Sequence, residues 1–221
     1  MDYQGPTADD LDNIRALNRC FLKAFCGSGV AGPGVLGDRR LSAVQLSRLS
    51  AAPFLLFSFR EHEHDFWLHV LSDELQLDLT SQGTPLDVRV HDLQVAALGF
   101  LWQLSHRNPY AARVVSGAPV SWCEQLAGQT LMRLLHCAAH RADLLVPRFE
   151  GQDRLWRRLL HSGVSAKRQL VLMSHQSALQ SMLTRSKPLA FERLPAAACS
   201  ITPPQQRIAE RQQAPGADAE V

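Results

Sequence analysis

Apolar residues spaced by three and four positions mark most of the chain as helical. Leu11, Ile14, Leu17, Phe21 and Phe25 fall on one helical face. Thr7-x-x-Asp10 ahead of them is a helix start, with acidic residues suited to the positive helix end. Gly27, Gly29, Gly32, Pro33, Gly34 and Gly37 break the pattern and predict a flexible loop. A second start follows at Leu41-Ser42-Ala43-Val44-Gln45-Leu46. There Ser42 and Gln45 can form a capping box, and Leu41 and Leu46 a hydrophobic staple. Ala52-Pro53 should end this short helix, because proline disfavours helix in the residue before it. The aromatic run from Phe54 to Phe59 fits a strand, a buried extended turn or a helix start. Asp65 to Leu71 reads as a helix with Phe66, Trp67 and Val70 inside. Residues 79–86 are turn-rich and predict a junction.

The second half repeats this grammar. Asp92 is a candidate cap for a helix burying Leu93, Ala97, Phe100, Leu101 and Leu104, stopped by Asn108-Pro109. Ser121-x-x-Glu124 reads as another capping box, opening a helix or helix pair through Leu126, Leu131, Leu134 and Leu135. A helix over 152–161 buries Leu155, Trp156, Leu159 and Leu160 and turns Arg154, Arg157 and Arg158 to water. The last helix, about 165–184, carries Leu172, Leu179 and Leu183 on one face. From Pro195 onward Pro, Gln, Ala and acidic residues predict disorder.

Two stretches align without a gap. Leu55–Leu71 and Leu144–Leu160 share a Leu-Leu pair, an apolar residue (Phe57, Val146), a glutamate (Glu61, Glu150), a tryptophan (Trp67, Trp156) and a closing aliphatic pair. Upstream of each lies Leu-x-Arg-Leu, as Leu46-x-Arg48-Leu49 and Leu131-x-Arg133-Leu134. Further back stand Leu17-x-x-x-Phe21 and Leu98-x-x-x-Trp102. Tryptophan is rare, and its matched placement inside a matched apolar frame points to an internal duplication. The expected architecture is mainly α: two similar short-helix bundles packed as a pseudo-dimer, with a basic helical C-terminal segment and a disordered tail. The expected divisions are a flexible arm at 1–8, a first helical unit at 9–80 and a second at 86–162. A C-terminal helical extension follows at 163–194, and a disordered tail at 195–221.

Composition narrows the classes. With 221 residues and 46% apolar content the chain can build a real core. No run approaches the length of a membrane span, and the polar, acidic N-terminus is unlike a signal peptide, so a soluble cytoplasmic protein without membrane contact is expected. Five cysteines without a Cys-x-x-Cys pair suit buried free thiols. Charge is uneven: the first 92 residues hold 8 basic and 13 acidic side chains, and the remainder 15 and 8. A basic half can meet nucleic acid or an acidic protein face, or simply attract the acidic half.

Particular residues suggest a family. Leu17-Asn18-x-x-Phe21-Leu22, Leu41-Ser42-x-x-Gln45-Leu46-x-x-Leu49-Ser50 and Leu55-Leu56-x-x-Phe59-Arg60 resemble the D subunit of the flagellar master transcriptional regulator family. Ala112-Arg113, Gly117, Leu126-Ala127, Leu131, Leu134, Leu144 and Arg148-Phe149 are similar to it more loosely. The resemblance implies a transcription regulator that forms helical dimers and acts with a DNA-contacting, cysteine-rich partner subunit. The chain departs from that pattern in its tandem form and in its basic segment 133–187, with ten Arg or Lys against three acids.

Site chemistry is sparse. His62, Glu63, His64, Asp65 and His69 form one ligand-type cluster, and His136, Cys137 and His140 another. Neither supplies a full tetrahedral set, and solvated helix polarity explains both, so no metal or cofactor is expected. No phosphate-binding loop, dinucleotide fingerprint or Gly-x-Ser-x-Gly is present, and no catalytic residue stands out. The nucleic-acid candidates are Arg154, Arg157, Arg158, Lys167 and Arg168, on two helices meeting at a Gly-containing turn. The expected function is transcription regulation by a helical protein acting through a protein partner or partner regulator subunit and through DNA. The alternatives are a non-enzymatic assembly or secretion-associated adaptor, and an enzyme of undefined type.

Overall fold

The computed structural model describes residues 5–26, 41–72, 87–141 and 143–184. The glycine-rich loop, the turn-rich junction and the tail expected from the sequence lie outside them. Among the described residues the fold is mainly α, with nine helices and one two-stranded antiparallel ribbon.

Helix α1 (Ala8–Phe25) opens on the Thr7–Asp10 capping box and buries Ile14, Leu17, Phe21 and Leu22. Helix α2 (Ala43–Ser50) opens on the Ser42–Gln45 box and stops just before Ala52-Pro53. A buried aromatic passage follows, of which only Phe57–Ser58 is strand (β1). Helix α3 (His64–Ser72) buries Trp67 and Val70. Helix α4 (Val88–Arg107) is the long element of the second half and packs against α1. It also packs against α5 (Pro109–Ser116), α6 (Val120–Ala127) and α7 (Leu131–His140). Strand β2 (Val146–Pro147), α8 (Asp153–His161) and α9 (Arg168–Thr184) complete the chain order.

Three helix starts or faces differ from the sequence reading. Asp87, not Asp92, caps α4: its side chain accepts from the Arg89 N–H, and Asp92 sits exposed inside the helix. Ser121 is no cap, because the Pro119 carbonyl already accepts from the Trp122 and Cys123 N–H groups and sets the helix start one residue before Ser121. In α9 Leu172 is 48% exposed, and the buried stripe is Ser174, His175, Ala178 and Met182. Mostly small or polar side chains on that stripe let the helix lie close to α8, where the Ser174 hydroxyl reaches the Arg158 carbonyl. Of the described cysteines, Cys123 and Cys137 are buried, whereas Cys20 is exposed.

The two aligned stretches have the same local structure. β1 pairs with β2 antiparallel, Phe57 opposite Pro147 and Ser58 opposite Val146, so each strand meets its own repeat-equivalent about a local two-fold. Arg60 (φ 57°) and Phe149 (φ 59°), equivalent in the alignment, both take the left-handed conformation that ends each strand. The Trp67 indole donates to the Phe59 carbonyl at 2.8 Å, and the Trp156 indole to the Arg148 carbonyl at 2.6 Å. Both tryptophans are buried in one continuous core built from both halves.

The halves are crossed at the Leu-x-Arg-Leu motifs. Arg48 donates to the Val164 carbonyl at 2.9 Å, just past α8, while Arg133 donates to the Leu71 carbonyl at the end of α3. Each repeat's arginine thus closes the other repeat's tryptophan helix. Asn18 adds a buried amide hub: it donates to the Phe54 carbonyl at 2.8 Å and accepts from the Leu56 N–H at 2.9 Å. Gln94 plays a comparable part at the end of α7, donating to the Ala138 and Arg141 carbonyls.

One buried ion pair joins the repeats. Arg148 is inserted beneath β1, donating to Glu61 at 2.9 Å, to the Leu55 carbonyl at 2.7 Å and to the Phe57 carbonyl. Glu61 also accepts from the Ser58 hydroxyl at 2.6 Å and the Phe59 N–H at 2.8 Å. Burial works to raise the Glu61 carboxyl, but the Arg148 charge and the Ser58 bond outweigh it and hold the group below its ordinary value of 4.5. Gly117 (φ +72°) lets the chain pass beneath: a Cβ there would lie 2.3 Å from Met182 Cγ and 3.1 Å from the Arg148 guanidinium.

Replacing Trp67 or Trp156 by Ala should each cost about 3–5 kcal/mol in urea unfolding; a loss confined to one of the two would contradict their equivalence. A carboxyl with a lowered folded pKa contributes stability that is present above its unfolded value and lost as pH falls through the folded one. Stability should therefore fall on acidification below about 4.5, and Glu61→Gln should be less stable at pH 7 with a shallower acid limb. An unchanged acid limb would remove Glu61 from that role.

Candidate nucleic-acid interface

The exposed cations of α8 follow from its pattern. Trp156, Leu159 and Leu160 face the core, which leaves Arg154, Arg157, Arg158 and His161 on the opposite, exposed side. Asp153 is the nearby counter-charge, 3.9 Å from Arg157, with both side chains more than half exposed. An exposed pair of that kind binds weakly and leaves the guanidinium available. Arg158 donates to the Ser177 hydroxyl of α9 at 2.6 Å, which fixes it at the seam between the two helices.

After α8 the chain turns through Ser162-Gly163-Val164. A Cβ on Gly163 would meet the Leu159 carbonyl oxygen at 2.5 Å, so glycine is what allows so tight a departure from the helix. Val164 is buried and its carbonyl is held by Arg48. Ser165 then accepts from the Lys167 N–H, and the Lys167 carbonyl receives the Leu170 and Val171 N–H groups that begin α9. Lys167 and Arg168 are exposed at this start. Arg154, Arg157 and Arg158 therefore share one helix face, and Lys167 and Arg168 stand across the turn from it.

The other basic residues of 133–187 are engaged within the fold where the structure describes them. Arg148 is buried on Glu61, Arg133 is used at Leu71, and Arg141 pairs with Asp143 at 3.1 Å and lies over the Phe66 ring. Attraction between the acidic and basic halves is carried by Arg148–Glu61 and by Arg107, which binds the buried Asp10 at the start of α1. Burial raises the Asp10 carboxyl, but Arg107 and Thr7 outweigh it and lower the group overall. Glu63 pairs with Arg60 at 3.7 Å. The α8 arginines take no part in these contacts.

Three residues near this surface escaped the sequence reading. Arg15 on α1, Arg48 on α2 and the buried His175 on α9 line an open groove together with Arg168. Arg48 was visible only as part of the repeated Leu-x-Arg-Leu frame, and nothing in the local pattern of Arg15 or His175 signals it.

The metal-type clusters resolve into separate roles. His62, His64 and His69 are exposed, and Cys137 is buried with its thiol directed to the Val70 carbonyl at 3.8 Å. In the second cluster the His140 side chain lies outside the described residues. Among the described residues no group of three or more His, Cys, Asp or Glu side chains could hold a metal ion. Burial pushes the Cys123 thiol up to about 11, the opposite of what a nucleophile needs. No helix of the described residues is long and apolar enough to cross a membrane. Comparison with protein-family models, curated proteins and solved structures finds nothing that matches the chain.

The two classes of arginine should separate cleanly in a thermal melt. Arg148→Ala leaves Glu61 buried and unpaired and should cost about 3–5 kcal/mol. Changing Arg157 and Arg158 together to Gln should alter stability by less than about 0.5 kcal/mol. A large loss from the double change would mean that the α8 face is structural.

Proposed function

We propose that the protein is a transcription-regulatory helical protein that touches nucleic acid with the α8–α9 surface and works with a protein partner. The observation that supports this most is the α8 face itself. Arg154, Arg157 and Arg158 stand exposed together, with one weakly held aspartate beside them, and Lys167 and Arg168 continue the positive charge across a tight turn. Phosphate backbones are recognised by such arrays of exposed cations on helices. The resemblance to the flagellar regulator D subunit supports the same class of function, with a partner regulator subunit as the protein contact.

The second reading, an assembly or secretion-associated adaptor, draws on a different observation. The first turns of α9 leave Leu170, Leu172 and Met173 exposed, and after Arg168 the helix carries no charged side chain. An uncharged helix start with exposed apolar side chains suits a protein contact.

Binding to duplex DNA decides between them. If the α8 face contacts phosphates, affinity should fall steeply with salt, and Arg157→Gln with Arg158→Gln should reduce the log–log salt slope by about two, at roughly 0.9 per contact. Binding whose salt slope is the same for both proteins would retire the nucleic-acid reading and leave the adaptor.

A further inference from the structure

Beside the α8 face lies an open groove of about 560 Å³, bounded by α1, α2, the turn after α8 and the start of α9. Its volume falls within the range of small-molecule sites, roughly 300–1,000 Å³. Arg15, Arg48 and Arg168 line it, one from each of the three helices, and no carboxylate residue is among its lining residues. Val171 and Leu172 supply an apolar wall.

His175 is the buried side chain of this lining, only 8% exposed. Its Nε2 is buried with no hydrogen-bond partner among the described residues. Its ring stands edge-on to Phe54, with centroids 6.0 Å apart, so packing fixes its orientation. A buried polar atom without a partner carries a desolvation cost that a bound ligand atom can relieve. Burial also pushes the imidazole below its ordinary value, so at neutral pH it is uncharged and can donate one hydrogen bond without a net charge of its own.

The arginines are held but not consumed. Arg48 uses Nη1 for the Val164 carbonyl, which anchors the side chain and leaves its other N–H groups. Arg15 pairs with Asp12 at 3.1 Å in an exposed contact that an incoming anion can replace.

We propose that this groove binds a small organic phosphate monoester, its phosphate held by Arg15, Arg48, Arg168 and the His175 Nε2 and its apolar body laid against Val171 and Leu172. A phosphate monoester is near-dianionic and offers three oxygens, which matches three guanidinium donors and one imidazole. The apolar wall favours a ligand with a carbon body over the bare ion. The assignment shares Arg168 with the nucleic-acid reading but uses none of the α8 arginines, so separate variants test the two. A backbone phosphodiester is the competing source of the same chemistry, with a single charge and two ester arms.

Isothermal titration of the full chain, at constant ionic strength held with chloride, tests this with three probes: inorganic phosphate, phenyl phosphate and dimethyl phosphate. Phenyl phosphate should bind most tightly, inorganic phosphate more weakly and dimethyl phosphate weakest. Changing Arg15 and Arg168 together to Gln should weaken phenyl phosphate binding about tenfold or more, in keeping with the loss of charge-assisted hydrogen bonds. His175→Phe keeps the edge contact with Phe54 and removes the nitrogen. It should weaken binding while leaving the melting temperature equal or higher, which separates a ligand role from a structural one. Arg157→Gln with Arg158→Gln should leave phenyl phosphate binding unchanged, whatever it does to DNA. No heat of binding from phenyl phosphate, or binding undiminished by the Arg15 and Arg168 changes, would overturn the site. Dimethyl phosphate binding as tightly as phenyl phosphate would overturn the monoester assignment and reassign the groove to a nucleic-acid backbone.

Discussion

The fold depends on one charge pair placed where neither partner can reach water. Arg148 and Glu61 are almost completely buried, and both are satisfied on every side that the strands present. Such a pair contributes little net stability relative to a well-packed apolar substitute, but a single unpaired member would be very costly. What it does supply is specificity. Only one register of β1 against β2 puts the guanidinium beside the Leu55 and Phe57 carbonyls and the Glu61 carboxylate together. The two-residue strands are too short to define register by themselves. The ion pair and the Arg148 N–H bond to the Leu56 carbonyl both fit this register.

The same pair has no counterpart between the two aligned stretches. In the alignment Arg148 corresponds to Phe59, and Glu61 to Glu150, yet Phe59 is buried without charge and Glu150 is exposed. The strand and helix positions match where these side chains do not. Other contacts keep the symmetry: the indole-to-carbonyl bonds of Trp67 and Trp156, the left-handed residues Arg60 and Phe149, and the crossed arginines Arg48 and Arg133. The crossing makes the core common property. Neither of these arginines bonds its own repeat's tryptophan helix, and each reaches across to the other.

Much of this was legible in the sequence because it is periodic or local. Thr7 and Ser42 announce their caps by spacing, and the Leu-Leu…Trp frame announces the repeat. The exposed face of α8 follows from the positions of Trp156, Leu159 and Leu160. The misreadings have a common cause. Asp92 and Ser121 have the right chemistry for caps, but each lost to a nearby backbone or side-chain group that set the start earlier. Leu172 has the right hydrophobicity for the core, but α9 is turned by a close approach that small residues permit and leucine does not. The groove was invisible for another reason. Arg15, Arg48 and the α9 pair Arg168 and His175 come from three separate parts of the chain, and only tertiary packing brings them to one place. Likewise nothing local distinguishes Arg148, buried on Glu61, from Arg157, exposed on its helix.

The position of the Arg148–Glu61 pair in the chain has a consequence for synthesis. A ribosome releases the acid long before its base. Until residue 148 has emerged, Glu61 has no guanidinium to meet it, and burying it alone would place an uncompensated carboxylate in an apolar interior. The final cover of Phe54, Phe57 and Trp67 includes residues of the second half, so it is complete only once those residues are made. A chain cut short before β2 would present this aromatic surface to any chaperone that waits at the exit tunnel.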